Sequence, residues 1–245
     1  MSSDGDALVA IVAALPEELV EIARRATGLR AERRGEAEAK VGWLGATPVV
    51  LVVTGDGPRN ARVGLRRAMA GFTPARCLVA GLAGALTGDF QVGDVLAAGR
   101  IVSASGEAPA PDPDWLTRAA RRVPVGTVFS AERIAATPEA KSELLRRLPG
   151  LGPAVVDLES ATFAGVAAAA GTAFLVLRAV SDLADEALPL DFERFRDAGG
   201  GVSRARVARY AALRPRTAAR LVDLRRRVGL CANRLADAVA EVVAA

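Results

Sequence analysis

Histidine is absent from this 245-residue chain. Its absence excludes Ser-His-Asp triads, histidine general bases and histidine-ligated metals. Acid–base chemistry is left to Asp, Glu, Lys or the single tyrosine, Tyr210. Cysteine is scarce: Cys77 and Cys231 stand far apart, match no metal-ligand spacing and frame no disulfide network. Both lie in apolar runs, as buried free thiols of a reducing compartment would. Aromatic residues make up only 4% of a chain that is 51% hydrophobic, so the core must be built from small aliphatic groups. No stretch reaches the roughly 18 apolar residues of a membrane-spanning helix, and the N-terminus carries no signal-peptide pattern. These absences predict a cytoplasmic protein.

The formal net charge is +4, and the excess of basic residues is concentrated between Arg194 and Arg234. Such a tail suits an acidic ligand, a membrane surface or a solvated helix face. It lacks the interleaved aromatics of a single-strand nucleic-acid platform, so no nucleic-acid partner is expected.

Apolar runs alternate with helical patterns. "ALVAIVAA", "TPVVLVVTG", "ARCLVAGLAGAL" and "TAFLVLRAVSD" read as buried strands, "PAVVDLE" as a short one, and "VGDVLAAGRIVSA" as one strand or two. "PEELVEIARRA", "PRNARVGLRRAMAGF", "TPEAKSELLRRL" and "SATFAGVAAAAG" read as helices, with Pro16 at a helix start and Thr137 as an N-cap. "SGEAPAPDPDW" reads as a surface loop and "DAGGG" as a hinge. Two further helices are expected at about 203–213 and 215–243, with a break near Gly229. The alternation predicts an α/β fold with a mostly parallel sheet covered by helices on both faces.

Ligands of open α/β sheets gather at the carboxyl ends of the strands. Here those ends carry Glu17 and Glu18, then Gly55-Asp56-Gly57, then Gly81-Leu82-Ala83-Gly84, then Glu159, then Arg178, Ser181 and Asp182. Each has a plain structural reading. Glu17 and Glu18 complement a helix dipole, Glu159 and Asp182 sit where helices or turns begin, and the glycines make turns. All of them together would need several coincidences at one edge of the sheet.

Five segments in one order, "IVAALPEEL", "VTGDGPRNA", "AGLAGAL…VGDV", "VVDLESATFAGVA" and "LRAVSDLAD", resemble the nucleoside phosphorylase/nucleosidase superfamily, and within it the methylthioadenosine/S-adenosylhomocysteine nucleosidases. The likeness runs from Leu8 to Asp185. It implies a three-layer α/β/α sandwich around a twisted mixed sheet. It divides the chain into a catalytic domain over 1–198 and a helical C-terminal extension over 199–245, packed on or beside it. It implies cleavage of the N-glycosidic bond of an adenine nucleoside, a reaction for which neither metal nor organic cofactor is required, with a homodimer as the expected assembly.

By the same resemblance, Glu159 grips the ribose hydroxyls and Leu158 packs below the sugar. Asp182 carries a proton to N7 of the purine. Glu18 handles the attacking water, with Arg178 nearby. Ile134 and Ala135 contact the base, partly through backbone groups. Gly81, Leu82, Ala83, Gly84 and Ser181 complete the pocket. The chain departs from the family pattern at Asp157 and Leu158, where "VEME" is common, and at Leu82, where a small polar residue is common. These residue types suit the reaction, because carboxylates stabilise an oxocarbenium-like sugar and protonation makes the purine a better leaving group.

A phosphorylase would need a phosphate cradle. Thr54, Gly55, Gly57 and Arg59 are the candidates for a phosphate or water site. Asp56 would repel phosphate and Pro58 lacks an N–H, so water is favoured as nucleophile, with inorganic phosphate as co-substrate the alternative. Nucleosidases of this kind end soon after the segment matching "SDLAD", whereas about sixty residues follow here. A similar basic tail occurs in the hopanoid-associated branch of the superfamily, which releases adenine from adenosylhopane. That implies, as an alternative, a lipid-linked adenosine and a membrane-peripheral location; a dimer-packing or sheet-covering helix is the plain reading of the tail. A nucleoside-binding module without turnover is the alternative of another class.

Overall fold

The computed structural model describes residues 7–148, 150, 152–197 and 201–244. Ala198, Gly199 and Gly200 of the expected hinge, and with them the expected boundary at 198/199, lie outside the described residues.

The apolar runs become the central strands, as burial of both faces requires. They are β1 (Val9–Ala13), β4 (Thr47–Val53), β5 (Arg76–Ala85) and β10 (Ala173–Asp182). These four run parallel, in the spatial order β4-β1-β5-β10. Three more, β6 (Val95–Ser103), β8 (Val125–Ser130) and β9 (Ala154–Asp157), are parallel to one another and antiparallel to the first set, joining it at β10–β6 and β5–β9. Because β10 pairs with both β5 and β6, the strands β5, β10, β6, β8 and β9 close into a ring. The hairpin of β2 (Thr27–Arg34) and β3 (Ala37–Leu44) extends the other edge, and β7 (Gly106–Glu107) pairs with β6. The sheet is therefore mixed rather than mostly parallel.

Helices cover both faces. The helices α2 (Pro58–Phe72) and α5 (Ser160–Ala169) pack Leu65, Phe72 and Phe163 against one face. On the other lie α1 (Pro16–Arg25), α3 (Pro113–Ala119) and the C-terminal α7 (Pro215–Ala244). The short α4 (Pro138–Leu145) lies over β8 and β9 with Ala140, Leu144 and Leu145. The three-layer α/β/α arrangement is the one expected.

The basic tail is part of a layer. Cys231, Leu235, Val239 and Val242 are buried with Ile11, Leu78 and Leu177 in one cluster. Each large aliphatic side chain so buried contributes about 1.5–3 kcal/mol. The outward face carries Arg225 and Arg226, which are exposed. The helix α6 (Arg204–Ala212) precedes it.

Several local expectations need correction. The helix α7 runs unbroken through Gly229, whose position is open to solvent, so a missing side chain leaves no gap. The sequence 95–103 is one strand. The loop read at 105–115 ends in α3, started by Asp112 accepting from the Trp115 amide at 2.9 Å. The β2–β3 hairpin had no signal, since β2 is polar and exposed along nearly its whole length. Both cysteines are free and buried, as expected.

Candidate active site

Glu18 fulfils two readings at once. Its Oε2 accepts from the Leu15 amide at 2.8 Å, reaching back over the first turn of α1 as a helix-capping carboxylate does. Its Oε1 leaves the helix and accepts from the Leu82 amide on β5 at 2.8 Å. The carboxyl is buried, and burial raises its pKa. Arg178 and the two backbone donors oppose that shift, while Asp157 adds to it. Glu17 turns outward to pair with Arg204 at 2.5 Å.

Arg178 rises from the middle of β10 into a fully buried position. Its Nη2 meets Asp157 Oδ2 at 2.5 Å, and its Nε and Nη2 donate to Ser160 Oγ at 3.1 and 2.9 Å. Ser160 in turn donates to Asp157 Oδ2 from both its hydroxyl, 2.7 Å, and its amide, 3.0 Å. One oxygen of Asp157 thus collects the guanidinium, a hydroxyl and an amide. The other, Oδ1, is buried without a hydrogen-bond partner. Asp157, which the sequence reading noted only as a departure, is therefore what holds Arg178.

Arg178 and Glu18 converge over Gly81. A Cβ there would lie 1.7 Å from Arg178 Nη1 and 3.0 Å from Glu18 Oε1. Gly81 is in the site because only a residue without a side chain leaves room for both groups.

Glu159 stands where β9 gives way to α5. Its Oε1 accepts from the Gly57 amide at 2.7 Å. Burial first, and the neighbouring Asp157 second, push its pKa up to about 7; Arg178 and the Gly57 bond pull the other way. Three carboxyl groups, Glu18, Asp157 and Glu159, so surround one guanidinium.

Asp182 ends β10 at the far side of the site. Its Oδ1 accepts from Ser181 Oγ at 2.6 Å, and its Oδ2 lies 2.5 Å from Lys141 Nζ. Gly84 makes room for it, since a Cβ there would meet Asp182 Oδ2 at 2.8 Å. Gly81 and Gly84 are three residues apart on β5, about 10 Å at ~3.3 Å per residue. Glu18 and Asp182 thus stand beside two different glycines of the same strand.

Between them lies a cavity of about 240 Å³. Of the expected residues, Leu82, Ala83, Gly84, Ile134, Ala135, Leu158, Ser181 and Asp182 line it. Gly81, Glu18, Glu159 and Arg178 do not; they form the charged cluster, which adjoins the cavity at Leu82 and Asp157. The Ile134 amide donates to Glu193 Oε1 at 2.8 Å, so it is already engaged rather than open to a base. Val156, Asp157, Leu188, Phe192, Leu224 and Val228 complete the lining and were not among the expected residues. Their signal lay in residues distant in sequence, two of them on α7. A second cavity of about 510 Å³ shares Ser181, Asp182, Leu188 and Leu224 and opens outward past Arg220 and Arg227.

The expected phosphate or water loop is only partly assembled. The Thr54 hydroxyl donates to Ala13 O and Gly55 O at 3.3 and 3.1 Å. Gly57 gives its amide to Glu159, and Arg59 is exposed and lines neither cavity. Gly55 has a φ of 88°, a left-handed turn open to glycine. Among the described residues, no group of His, Cys, Asp and Glu side chains is placed to hold a metal ion. Among them, no helix is long and apolar enough to cross a membrane.

A family profile, the phosphorylase superfamily, matches residues 8–212. The chain belongs to that superfamily. The match takes in both ends of the site and α6. A 5′-methylthioadenosine/S-adenosylhomocysteine nucleosidase of Maridesulfovibrio salexigens is 24% identical over 202 residues, 73% of this chain and 87% of that protein. The enzyme of the same name from Actinobacillus succinogenes is 27% identical over 210 residues, 76% of this chain and 90% of that protein. The structure of the Neisseria meningitidis nucleosidase, solved with methylthio-immucillin-A, superposes with a TM-score of 0.73 at 23% identity, covering 96% of this chain and 98% of that one. Futalosine hydrolase of Helicobacter pylori superposes with a TM-score of 0.74 at 17% identity, covering 97% of each chain. These superpositions extend over nearly the whole chain, so the C-terminal helices have counterparts in those folds. The expectation that such nucleosidases stop short of the tail is corrected accordingly.

Proposed function

We propose that this enzyme hydrolyses the N-glycosidic bond of an adenine nucleoside, with water as nucleophile. The observation that carries the choice of water is the Gly57–Glu159 bond. The amide that a phosphate cradle would use is turned onto a carboxylate, and Arg178 beside it is held by Asp157 and Ser160. An incoming phosphate dianion would face Glu18, Asp157 and Glu159; a water molecule, and the cationic sugar of the transition state, suit that field.

In this reading Glu159 accepts from the ribose hydroxyls and Leu158 packs against the sugar. Glu18 orients and deprotonates the water. Asp182, with Ser181, protonates the purine at N7, a contribution on the order of 10²–10⁴-fold. Ile134 and Ala135 border the base. No cofactor takes part. The named relatives are nucleosidases or hydrolases, and none of them supports phosphorolysis or a lipid-linked adenosine.

The test is purified enzyme with adenosine, methylthioadenosine and S-adenosylhomocysteine, with and without phosphate, the products separated by chromatography. Adenine and a free sugar in the absence of phosphate are expected. Adenine released only with phosphate, as a sugar 1-phosphate, would replace hydrolysis by phosphorolysis. Binding of all three without cleavage would make the protein a nucleoside-binding module.

A further inference from the structure

The chain uses arginine 30 times and lysine twice. One of the two lysines, Lys141 on α4, is among its most buried side chains, 1% exposed. Its ammonium meets three oxygens: Asp182 Oδ2 at 2.5 Å, the Glu186 carbonyl at 3.0 Å and the Leu183 carbonyl. An ammonium has three donors in a compact pyramid, which three converging oxygens satisfy in full; a planar guanidinium would not fit them. The placement explains why lysine stands here in a chain that otherwise chooses arginine.

The same contact ties together the parts of the site that would surround a purine. The helix α4 follows directly on Ile134 and Ala135, Asp182 ends β10, and Leu183 to Leu188 is the segment that borders both cavities. A backbone bond from Leu188 N to Ala136 O, 2.9 Å, closes the loop from the other side. The remaining polar and charged groups around Asp182 are few. Ser181 donates to it, and Cys231 of α7 lies near, its thiol donating to Val180 O. Glu186 is paired with Arg227 at 2.7 Å, and Asp157, on the other wall of the smaller cavity, is paired with Arg178. Lys141 is thus the one cation in direct contact with the Asp182 carboxylate among the described residues.

We propose that Lys141 is the positioning residue of the proton donor: bonded at once to Asp182 Oδ2 and to the Leu183 and Glu186 carbonyls, it fixes the Asp182 carboxyl at its end of the cavity. The inference rests on the reading of Asp182 as the group that protonates the leaving base. A residue that acts by holding the acid in place affects the bond-breaking step more than the binding of the nucleoside.

The experiment is kcat and KM with methylthioadenosine as substrate, for wild type, Lys141→Met, Lys141→Gln, Asp182→Asn and the double variant Lys141→Gln/Asp182→Asn, each checked by thermal melting. Lys141→Gln keeps two donors for the carbonyls while losing the charge, and serves if Lys141→Met does not fold. The expected result is a kcat about tenfold or more below wild type in both neutral variants, with KM within about threefold of wild type. In the double variant kcat should fall no further than in Asp182→Asn alone, because Lys141 acts through Asp182. Wild-type kcat in a folded neutral variant, or a further fall in the double variant, would overturn the proposal and leave Lys141 a structural tie. Wild-type kcat in Asp182→Asn would instead remove Asp182 as the acid and with it the reading on which the inference rests.

Discussion

The Gly57 amide donates to Glu159 Oε1 at 2.7 Å, joining the start of α2 to the start of α5 across 102 positions. It engages one oxygen of the carboxyl, Oε1. Because burial and Asp157 raise the Glu159 pKa to about 7 against an ordinary 4.5, the folded protein holds a proton there that the unfolded chain has already released. The stability this contributes is fully present below about pH 4.5 and is lost as pH rises through about 7. Glu18, raised in the same direction, adds to the slope. Thermal unfolding of the free enzyme should therefore move to lower temperature between pH 5 and pH 7.5, and Glu159→Gln should flatten the change. In the proposed role of Glu159, ribose hydroxyls donate to the ionised form, so nucleoside affinity should rise over the same range and lose its pH dependence in Glu159→Gln. Calorimetric titration at several pH values measures both.

Gly81→Ala should damage the site without altering the strand. The added methyl would sit 1.7 Å from Arg178 Nη1, among groups that cannot retreat because Arg178 is held by Asp157 and Ser160. A stability loss of about 1–3 kcal/mol is expected for such overpacking. A fall in kcat of at least tenfold should accompany it, read by melting and by initial rates.

Asp157→Asn should be worse for stability than for binding. It removes the charge in contact with Arg178 and leaves the buried guanidinium to Glu18 and Glu159; breaking a buried pair costs up to about 3–5 kcal/mol. Chemical denaturation should show a lower midpoint with an unchanged slope.

Leu235→Ala tests whether the tail is part of the fold. Leu235 is fully buried among residues of β1, β5 and β10. The substitution should cost about 2–5 kcal/mol, as in any core. A change near zero would mean that α7 does not hold its place against the sheet in solution.

What the sequence disclosed follows from where its signals are local. Apolar runs marked β1, β4, β5 and β10, Pro16 marked the start of α1, and Thr137 as a cap marked α4. The recurrent acids at strand ends marked Glu18, Glu159 and Asp182, and the structure places all three around one region. The β2–β3 hairpin escaped because an exposed polar strand at a sheet edge has no alternation. The ring closure of β10 onto β5 and β6 escaped because register is not written in either strand alone. Lys141 escaped because its partner lies 41 positions away, so it looked like an ordinary helix residue, whereas Asp157 stood out as a departure from the family pattern but its partner, 21 positions on, did not show. The lone buried lysine in an arginine-rich chain was the one available clue.

The most direct test of the account is a single-turnover measurement of adenine release from methylthioadenosine in phosphate-free buffer, comparing wild type with Glu18→Gln. The account predicts complete release by wild type and, in the variant, retained nucleoside binding with release at least 100-fold slower, in line with the loss of a general base. An unchanged rate in Glu18→Gln, or no release by wild type until phosphate is added, would contradict it.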